Sequence, residues 1–285
     1  MLDLRSPAAT EALWRPADIM RLEQLVEATR DINVVYHLAA VSNVNVAYKD
    51  PLGCIDANIR GTANVLEAAR NNKIQRVILA STVWVYNAAP EGHANEETGL
   101  LPSRAGHLYT ATKIADEMLC YSYRELYGVP FTVLRYGIPY GPGMRQELVI
   151  ATFIRKALNK EPITITGDGK QYRKFIYVED LAEGNVAALK PVAENKTYNL
   201  EGGERISILD IAETLKRIQG EVKIQFLPSR PGDFSGCETT FIKAERELGW
   251  RPRTSFEEGL RLTVSWYLQQ HKQEAGAPQP TTRGN

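Results

Sequence analysis

Residues 33–40 read NVVYHLAA and residues 76–86 read RVILASTVWVY, and a helical pattern separates these two β-rich runs. Two such runs joined through a helix form a βαβ unit, in which the strands are parallel and their carboxyl ends lie at one edge of the sheet. The sequence therefore predicts a parallel α/β sheet, with the hydroxyl group of Thr82 near that edge.

A second motif, YTATK at residues 109–113, begins a long segment of helical apolar periodicity. Residues four apart on a helix share a face, so the Tyr109 phenol and the Lys113 ammonium can point at the same small molecule. An adjacent cation favours the phenolate, which makes Tyr109 a candidate acid/base for a sugar hydroxyl. The same spacing also occurs on solvated helices that have no catalytic role, so the motif depends on its context.

Apolar periodicity and capping residues predict the limits of several helices. Ser207 is a candidate cap for a helix that ends at Gln219. The other predicted helices are Ile19 to Thr29, Pro51 to Arg70, Leu108 to Tyr127 and Phe256 to Gln270.

In that context the chain resembles the extended short-chain dehydrogenase/reductase family, the NAD-dependent nucleotide-sugar epimerases and dehydratases. The motifs that carry the resemblance follow the family's order along nearly the whole chain. They are His37-Leu38-Ala39-Ala40, NIRGTAN at 58–64, Ser81-Thr82 with Val85-Tyr86, YTATK at 109–113, Leu134-Arg135-Tyr136 with YGPG at 140–143, Gly167-Asp168-Gly169 with Arg173 and YVED at 177–180, RPGD at 230–233, and Leu248-Gly249-Trp250.

The resemblance implies a Rossmann-like doubly wound parallel sheet with a smaller α/β substrate-binding domain. Residues 1–138 and 172–196 are assigned to the NAD-binding domain, and residues 139–171 and 197–271 to the substrate-binding domain. The tail at 272–285 contains little to bury and is predicted to be disordered.

The amino terminus departs from the family pattern. A dinucleotide-binding fold begins with a strand and a Gly-rich turn that receives the pyrophosphate, but the first glycine here is Gly53. The resemblance therefore implies that the first strand, the Gly-rich turn, the first helix and most of the second strand are missing from this chain. A mis-set start, a fragment and a genuine truncated paralogue are all consistent with the sequence.

The resemblance also implies a set of NAD-binding residues. Asp3 matches the acid that binds the adenosine ribose, and Asp18 with Ile19 matches the pair that reads adenine. Asp18 is equally suited to cap the helix that follows it. Asn58 matches a residue near the cofactor, and the alternative is a buried asparagine that bonds backbone groups. The remaining members of the set are Leu38, Ala39, Ala40, Ser81, Tyr109, Lys113 and Tyr136.

The substrate-binding residues implied by the resemblance come from both predicted domains. Arg173 and Arg230 match the arginines that bind the diphosphate, a task that suits the planar guanidinium fork, and Asp233 matches a ribose hydroxyl acceptor. Each arginine is also readable as a solvated surface charge. Thr82 and Trp84 complete the set together with Ile138, which replaces the family's phosphate-binding asparagine.

The predicted reaction is epimerisation of a nucleotide sugar, at C4, by transient oxidation and re-reduction with Thr82, Tyr109 and Lys113 as catalytic residues. Family dehydratases carry Asp-Glu directly after the threonine, whereas Val83-Trp84 here cannot exchange protons, which disfavours elimination of water. The alternatives are an NAD(P)-dependent sugar reductase, a dehydratase of the same family, and a non-catalytic truncated paralogue with a structural or regulatory role.

Composition narrows the list of partners. The chain has 34 Lys and Arg residues and 34 Asp and Glu residues, so its formal net charge is zero, which favours neither nucleic acid nor an anionic membrane. No apolar run approaches the ~20 residues of a membrane-spanning helix and no secretion signal is evident, so the cytoplasm is the expected location. The resemblance implies a homodimer formed through the helices that contain Asn58 and Tyr109–Lys113, although the apolar stripe of the latter helix is equally suited to the core of a single chain.

The cysteine and histidine residues show no metal-binding pattern. Cys54, Cys120 and Cys237 are odd in number and widely spaced, which predicts free thiols in a reducing compartment. His93 and His107 have no second ligand at helical or hairpin spacing, so both are predicted to be solvated loop residues, and no metal site is expected.

Overall fold

The structure is a computed structural model that describes residues 12–88, 92–228 and 238–276. The chain forms two compact units, each built from three separate segments. The first unit takes its described residues from the segments 1–138, 180–203 and 236–252, and the second from 139–179, 204–235 and 253–285.

Helices and strands alternate along most of the described chain. The helices are α1 (Leu22–Ala28), α2 (Val44–Lys49), α3 (Pro51–Ile55), α4 (Gly61–Asn71), α5 (Leu108–Tyr127), α6 (Val149–Leu158), α7 (Val178–Ala187), α8 (Ile208–Gln219), α9 (Ile242–Leu248) and α10 (Phe256–Gly276). The strands are β1 (Val34–His37), β2 (Arg76–Thr82), β3 (His93–Ala94), β4 (Phe131–Tyr136), β5 (Ile138–Tyr140), β6 (Ile163–Thr166), β7 (Tyr172–Arg173), β8 (Phe175–Tyr177), β9 (Lys196–Leu200), β10 (Ile206–Ser207), β11 (Ile224–Leu227) and β12 (Glu238–Thr239).

The first unit is organised around a four-stranded parallel sheet with the order β1-β2-β4-β9. Six of the seven residues of the central strand β2 are buried, as expected for a parallel sheet that is covered on both faces. The register pairs Thr82 with Tyr136, so the ends of β2 and β4 lie side by side. The predicted βαβ unit and the parallel α/β class are confirmed.

The helical run after β1 is interrupted in its middle. The sequence predicts one helix from Pro51 to Arg70, and the structure instead places a π-helical turn, Asp56–Arg60, between α3 and α4. A π turn adds one residue to a helical turn and is frequent at functional sites. Here it contains Asn58, whose side chain is completely buried.

Helix α5 has the limits that the sequence predicts, from Leu108 to Tyr127. Its first turn is capped by His107, whose Nδ1 accepts a hydrogen bond from the Thr110 backbone N–H at 3.3 Å. The helix ends at Gly128, whose φ of 71° lies in the left-handed region that a glycine adopts without strain. This helix carries both Tyr109 and Lys113.

The second unit contains three small two-stranded sheets, β5-β8, β6-β11 and β7-β10. Its core includes an aromatic cluster in which the Tyr140 ring lies 5.3 Å from Phe256 and 5.7 Å from Tyr177, centroid to centroid. Helix α8 begins at the predicted cap, where Ser207 and Asp210 bond to each other's backbone N–H groups. None of the described helices combines the length and the apolar composition needed to cross a bilayer.

The structure differs from the sequence-based limits at the last helix. Residues up to Gln270 are predicted to be helical, with a tail from residue 272, but α10 continues to Gly276. The absence of a helix-breaking residue before Gly276 allows the backbone hydrogen bonds to continue, since Lys, Gln, Glu and Ala all favour a helix. Residues 277–285 lie outside the described part of the chain.

Candidate active site

The three predicted catalytic residues belong to two neighbouring elements of the first unit. Thr82 is the last residue of β2, and Tyr109 and Lys113 occupy the first two turns of α5, which packs against β2 and the turn that follows it. Thr82 is 7% exposed, and its Oγ1 accepts a hydrogen bond from the Trp84 backbone N–H at 3.2 Å. The carboxyl edge of the parallel sheet therefore holds the hydroxyl, with the phenol and the ammonium on the adjacent helix.

Lys113 forms a buried ion pair that the sequence analysis did not predict. Its Nζ donates to Asp116 Oδ2 at 3.1 Å, and the exposed fractions of the two residues are 3% and 0%. Burial raises the pKa of Asp116 to about 6, although Lys113 and the Thr62 hydroxyl oppose the shift. The other oxygen, Oδ1, is buried and makes no hydrogen bond within the described residues.

His37 lies on the other side of the same polar cluster, at the end of β1. Its Nε2 is 2.9 Å from Thr62 Oγ1, and the side chain is 4% exposed. Burial lowers the pKa of His37 to about 4, and the Lys113 charge acts in the same direction. His37 is therefore neutral at pH 7, whereas Lys113 and Asp116 form the charged pair.

These shifts predict two opposite contributions to the pH dependence of the free energy of unfolding. Asp116 has a folded-state pKa above its unfolded value, so its contribution falls as pH rises from about 4 to about 6. His37 has a folded-state pKa below its unfolded value, so its contribution falls as pH drops from about 6.5 to about 4. Each is expected to amount to about 3 kcal/mol.

The two contributions are separable by substitution. In Asp116→Asn only the His37 contribution remains, so the free energy of unfolding of this variant is expected to fall as pH drops from 6.5 to 4. In His37→Gln only the Asp116 contribution remains, so the free energy of unfolding is expected to fall as pH rises from 4 to 6. Urea unfolding between pH 4 and 7 measures both slopes, and identical slopes in the two variants would contradict the assignment.

Asn58 links the loop after β1 to helix α5. Its Oδ1 accepts from the Val41 backbone N–H at 2.7 Å, and its Nδ2 donates to Val41 O at 3.1 Å and to Thr112 Oγ1 at 2.9 Å. Thr112 Oγ1 in turn donates to the Tyr109 carbonyl at 2.8 Å. Asn58 therefore reaches the site through Val41 and Thr112, since its own polar atoms are occupied by protein partners.

Ser81, predicted to bind the cofactor, is buried next to Thr82 and donates its hydroxyl to Glu117 at 2.5 Å. Arg135 forms a bidentate ion pair with Glu117, in which Nε donates to Oε1 at 3.0 Å and Nη2 donates to Oε2 at 2.7 Å. Arg135 then donates from Nη1 to the Tyr86 hydroxyl at 2.8 Å. This network fastens α5 to β2 and β4 beneath the site.

The remaining predicted cofactor residues fall into three groups. Leu38 and Ala39 are exposed at the carboxyl end of β1, and Ala40 follows them. Tyr136 ends β4, and its hydroxyl donates to Asn185 Oδ1 at 2.5 Å, while burial raises its pKa. Asp3 lies outside the described residues.

Asp18 and Ile19 precede α1. Asp18 accepts from the Met20 N–H at 2.9 Å and does not cap the helix, whose cap position is Arg21. The capping alternative is therefore wrong, because the helix begins three residues later than expected. The Ile19 side chain packs on the apolar cluster of the sheet, and its backbone carbonyl accepts a hydrogen bond from Asn64 Nδ2 at 2.8 Å.

The predicted substrate residues are described only in part. Trp84 is half-buried in the first unit, and Ile138 begins β5. Arg173 lies in the second unit, where its Nη1 donates to the Tyr172 carbonyl at 2.7 Å. Arg230 and Asp233 lie outside the described residues.

The prediction of solvated loop histidines is confirmed only in part. His93 is exposed, as predicted, but it lies in the two-residue strand β3, paired with Glu238 of β12, and not in a loop. For His107 the prediction is wrong, because this residue is half-buried. His107 caps α5, and its ring lies 5.2 Å from Trp84 and 6.3 Å from Tyr109, while its Nε2 is buried without a hydrogen-bond partner in the described chain. Its place just before the apolar periodicity of α5 was the available signal for the cap.

Two further sets of predictions concern thiols and metals. Cys54 and Cys120 are buried free thiols, as the sequence predicts, and Cys237 lies outside the described residues. Within the described chain, no group of three His, Cys, Asp or Glu side chains is placed to hold a metal ion.

The chemistry of these residues fits NAD. Leu38 is 61% exposed at the carboxyl end of a parallel strand, the edge at which α/β sheets bind nucleotides, and it offers apolar surface to a flat ring. Tyr109 and Lys113 carry a hydroxyl and an ammonium group, which are donors of the kind that ribose hydroxyls accept.

The sequence of this chain is similar to those of known proteins. The model of the NAD dependent epimerase/dehydratase family matches residues 5–200. A UDP-glucuronate 4-epimerase from Thermodesulfobacterium geofontis is 38% identical over 243 residues, which cover 84% of this chain and 73% of that protein.

Two solved structures are also similar. The Bacillus cereus UDP-glucuronic acid 4-epimerase, in complex with UDP-glucuronic acid and NAD, is 34% identical with a TM-score of 0.80, covering 89% of this chain and 81% of that one. The Thermotoga maritima UDP-glucose 4-epimerase, with UDP-glucose, is 26% identical with a TM-score of 0.83, covering 95% and 89%.

Proposed function

Because this chain belongs to the NAD dependent epimerase/dehydratase family, we propose that it inverts the C4 centre of a nucleotide sugar with Tyr109 as the acid/base. The protein is an NAD-dependent enzyme of the nucleotide-sugar epimerase class with a Rossmann-type sheet. The observation that supports the acid/base role is the position of Tyr109 and Lys113 on α5, packed against the strand that ends in Thr82. The choice of C4 is supported by the similarity to 4-epimerases.

In the proposed mechanism the chain's own residues move one proton in each half of the reaction. The Tyr109 phenolate accepts the proton of the C4 hydroxyl, and the Thr82 hydroxyl hydrogen-bonds the same oxygen. NAD, when bound, supplies the reversible hydride acceptor. Tyr109 then returns the proton to the oxygen after the keto-sugar has presented its opposite face, which inverts the centre and regenerates the enzyme.

The residues proposed to hold NAD all belong to the first unit. The backbone of Leu38–Ala40 would bind the dinucleotide, Lys113 and Tyr109 would bind the ribose of its nicotinamide half, and Asp18 with the Ile19 backbone N–H would bind adenine. Asn58, Ser81 and Tyr136 support these contacts through their protein partners.

The residues after Thr82 favour epimerisation over elimination. A dehydratase needs an acid and a base beside the sugar to remove water. Val83 and Trp84 follow Thr82 in a short helical turn, and neither side chain exchanges protons at neutral pH. Trp84 instead offers an aromatic surface to the sugar.

We assign binding of the diphosphate of the substrate to Arg173 of the second unit, contacts with the reacting sugar to Thr82 and Trp84 of the first, and binding of the cofactor to the first. UDP-glucuronate is the first candidate substrate, because relatives of this chain act on or bind it. UDP-glucose is the second, since a similar structure contains it.

The test is incubation of the purified protein with NAD and each UDP-sugar, with the products identified by proton NMR. We expect the C4 epimer to form without net NADH. Net oxidation or reduction of the cofactor would indicate a dehydrogenase or reductase, and a product lacking water would indicate a dehydratase. Failure to bind NAD and to convert any sugar would favour the non-catalytic paralogue.

A homodimer is proposed through the helical run 51–71 and α5. Exposed apolar side chains occur on both, with Leu52 at 74% exposure and Met118 at 64%. Replacing either by glutamate is expected to convert the dimer to a monomer, because a charge would be buried in the interface. Val186→Glu, at an equally exposed site on α7, is the control. Sedimentation velocity measures the mass, and a monomeric wild type would contradict the proposal.

A further inference from the structure

The ion pair of Lys113 with Asp116 carries a consequence for Tyr109. Lys113 is the cation that favours the Tyr109 phenolate, because the two residues share one face of α5. A carboxylate 3.1 Å from the ammonium cancels much of its field at a third site. The charge that Tyr109 experiences is therefore that of the pair and not that of Lys113 alone.

Both members of the pair are held away from water. Asp116 is 0% exposed and Lys113 3%, so solvent does not screen their interaction strongly. The carboxylate has one oxygen on Lys113, and its other oxygen makes no hydrogen bond in the part of the chain that the structure describes. A buried acceptor without a partner costs free energy, which acts against the ionised form of Asp116.

We propose that Asp116 is a positioning residue that holds the Lys113 ammonium and neutralises its charge, and thereby sets the pH at which Tyr109 becomes competent as a base. The inference rests on the proposed role of Tyr109 and Lys113. A purely structural role of Asp116 would change stability without moving the ionisation of Tyr109.

The groups that face Asp116 come from several elements. Lys113, Glu117 and Cys120 lie on α5, His37 reaches the cluster from β1 through Thr62, and Cys54 faces it from α3. His37 is neutral at pH 7, and burial raises the pKa of both thiols, so none of these three is charged near neutral pH. Glu117 is paired with Arg135.

Asp116 is consequently the group of this cluster whose charge changes with pH below neutrality. Because burial raises its pKa to about 6, Asp116 is ionised at pH 7 and protonated at pH 5. At pH 5 the Lys113 charge is uncompensated and acts fully on Tyr109. Asp116→Asn fixes this uncompensated state at every pH.

The direct test is an ultraviolet titration of tyrosinate, with each protein compared with its own Tyr109→Phe counterpart so that only the Tyr109 signal remains. In Asp116→Asn we expect the Tyr109 phenol to ionise about one pH unit lower than in the wild type, the size of shift that one nearby charge produces. Asp116→Glu keeps the carboxylate charge, so in this variant the Tyr109 phenol is expected to ionise at a pH close to the wild-type value. Glu125→Gln, an exposed acid on the same helix, is expected to leave the titration unchanged.

The same variants are then assayed for turnover with NAD and the active UDP-sugar. The acid limb of the kcat profile is expected to move down by the same pH interval in Asp116→Asn. An unchanged Tyr109 titration in Asp116→Asn would overturn the inference even if the enzyme epimerises sugars. A shifted titration in a protein without epimerase activity would support the inference and remove the proposed function.

Discussion

Tyr109→Phe is expected to lower kcat for the epimerisation by about 10²- to 10⁴-fold, the usual contribution of a positioned acid/base. The substitution removes one hydroxyl and keeps the ring, which lies 6.3 Å from that of His107. NAD binding, measured by calorimetry, is expected to weaken by about 10-fold at most, the contribution of one hydrogen bond to the ribose. Since kcat refers to the assembled complex, its loss should report the proton transfer and not the weaker binding.

Tyr127→Phe is the matched control, since Tyr127 is the last residue of the same helix and is 48% exposed. Its kcat is expected to equal that of the wild type. If Tyr109→Phe retained activity within a few-fold of the wild type, another group would have to move the proton, and the assignment of Tyr109 would be wrong.

Arg135→Met is expected to reduce the free energy of unfolding by about 3–5 kcal/mol, the cost of removing one partner of a buried ion pair. Arg135 is 5% exposed and Glu117 4%, and they make two parallel hydrogen bonds. Without the guanidinium, Glu117 keeps the Ser81 hydroxyl but loses its counter-charge. Urea unfolding at pH 7 measures the change.

A double variant separates the lost pair from a simple packing defect. Glu117→Gln combined with Arg135→Met removes the stranded charge, and it is expected to be more stable than Arg135→Met alone. Arg21→Met is the surface control, because Arg21 and Glu23 form an exposed pair of the kind that contributes about 0–1 kcal/mol. A double variant as unstable as the single one would show that the charge is not the cause.

Much of the first unit was predictable because its signals are local. Val, Ile and Leu dominate β2, and a near-continuous apolar run identifies a buried parallel strand. The limits of α5 follow from its apolar stripe and from Gly128, and the start of α8 follows from Ser207. Each of these features depends on residues within a few positions of one another.

The charge state of the site was not predictable in the same way. An aspartate three residues after a lysine has the same spacing on a solvated helix as on a buried one. What makes Asp116 unusual is its burial, which arises from the packing of α5 against β2 and against the helical run 51–71, elements far away in sequence. The same applies to Asn58, whose partners Val41 and Thr112 are 17 and 54 residues away.

The π turn at Asp56–Arg60 also limits how this chain can vary in length. Upstream of it Leu52 is exposed, while downstream Leu66 is completely buried and Thr62 faces His37. Deleting one residue from the turn would restore a regular hydrogen-bond ladder but rotate every later position of the helix by about 100°. Thr62 and Leu66 would then point away from the sheet. Insertions and deletions that a surface loop tolerates should therefore be selected against within this helix.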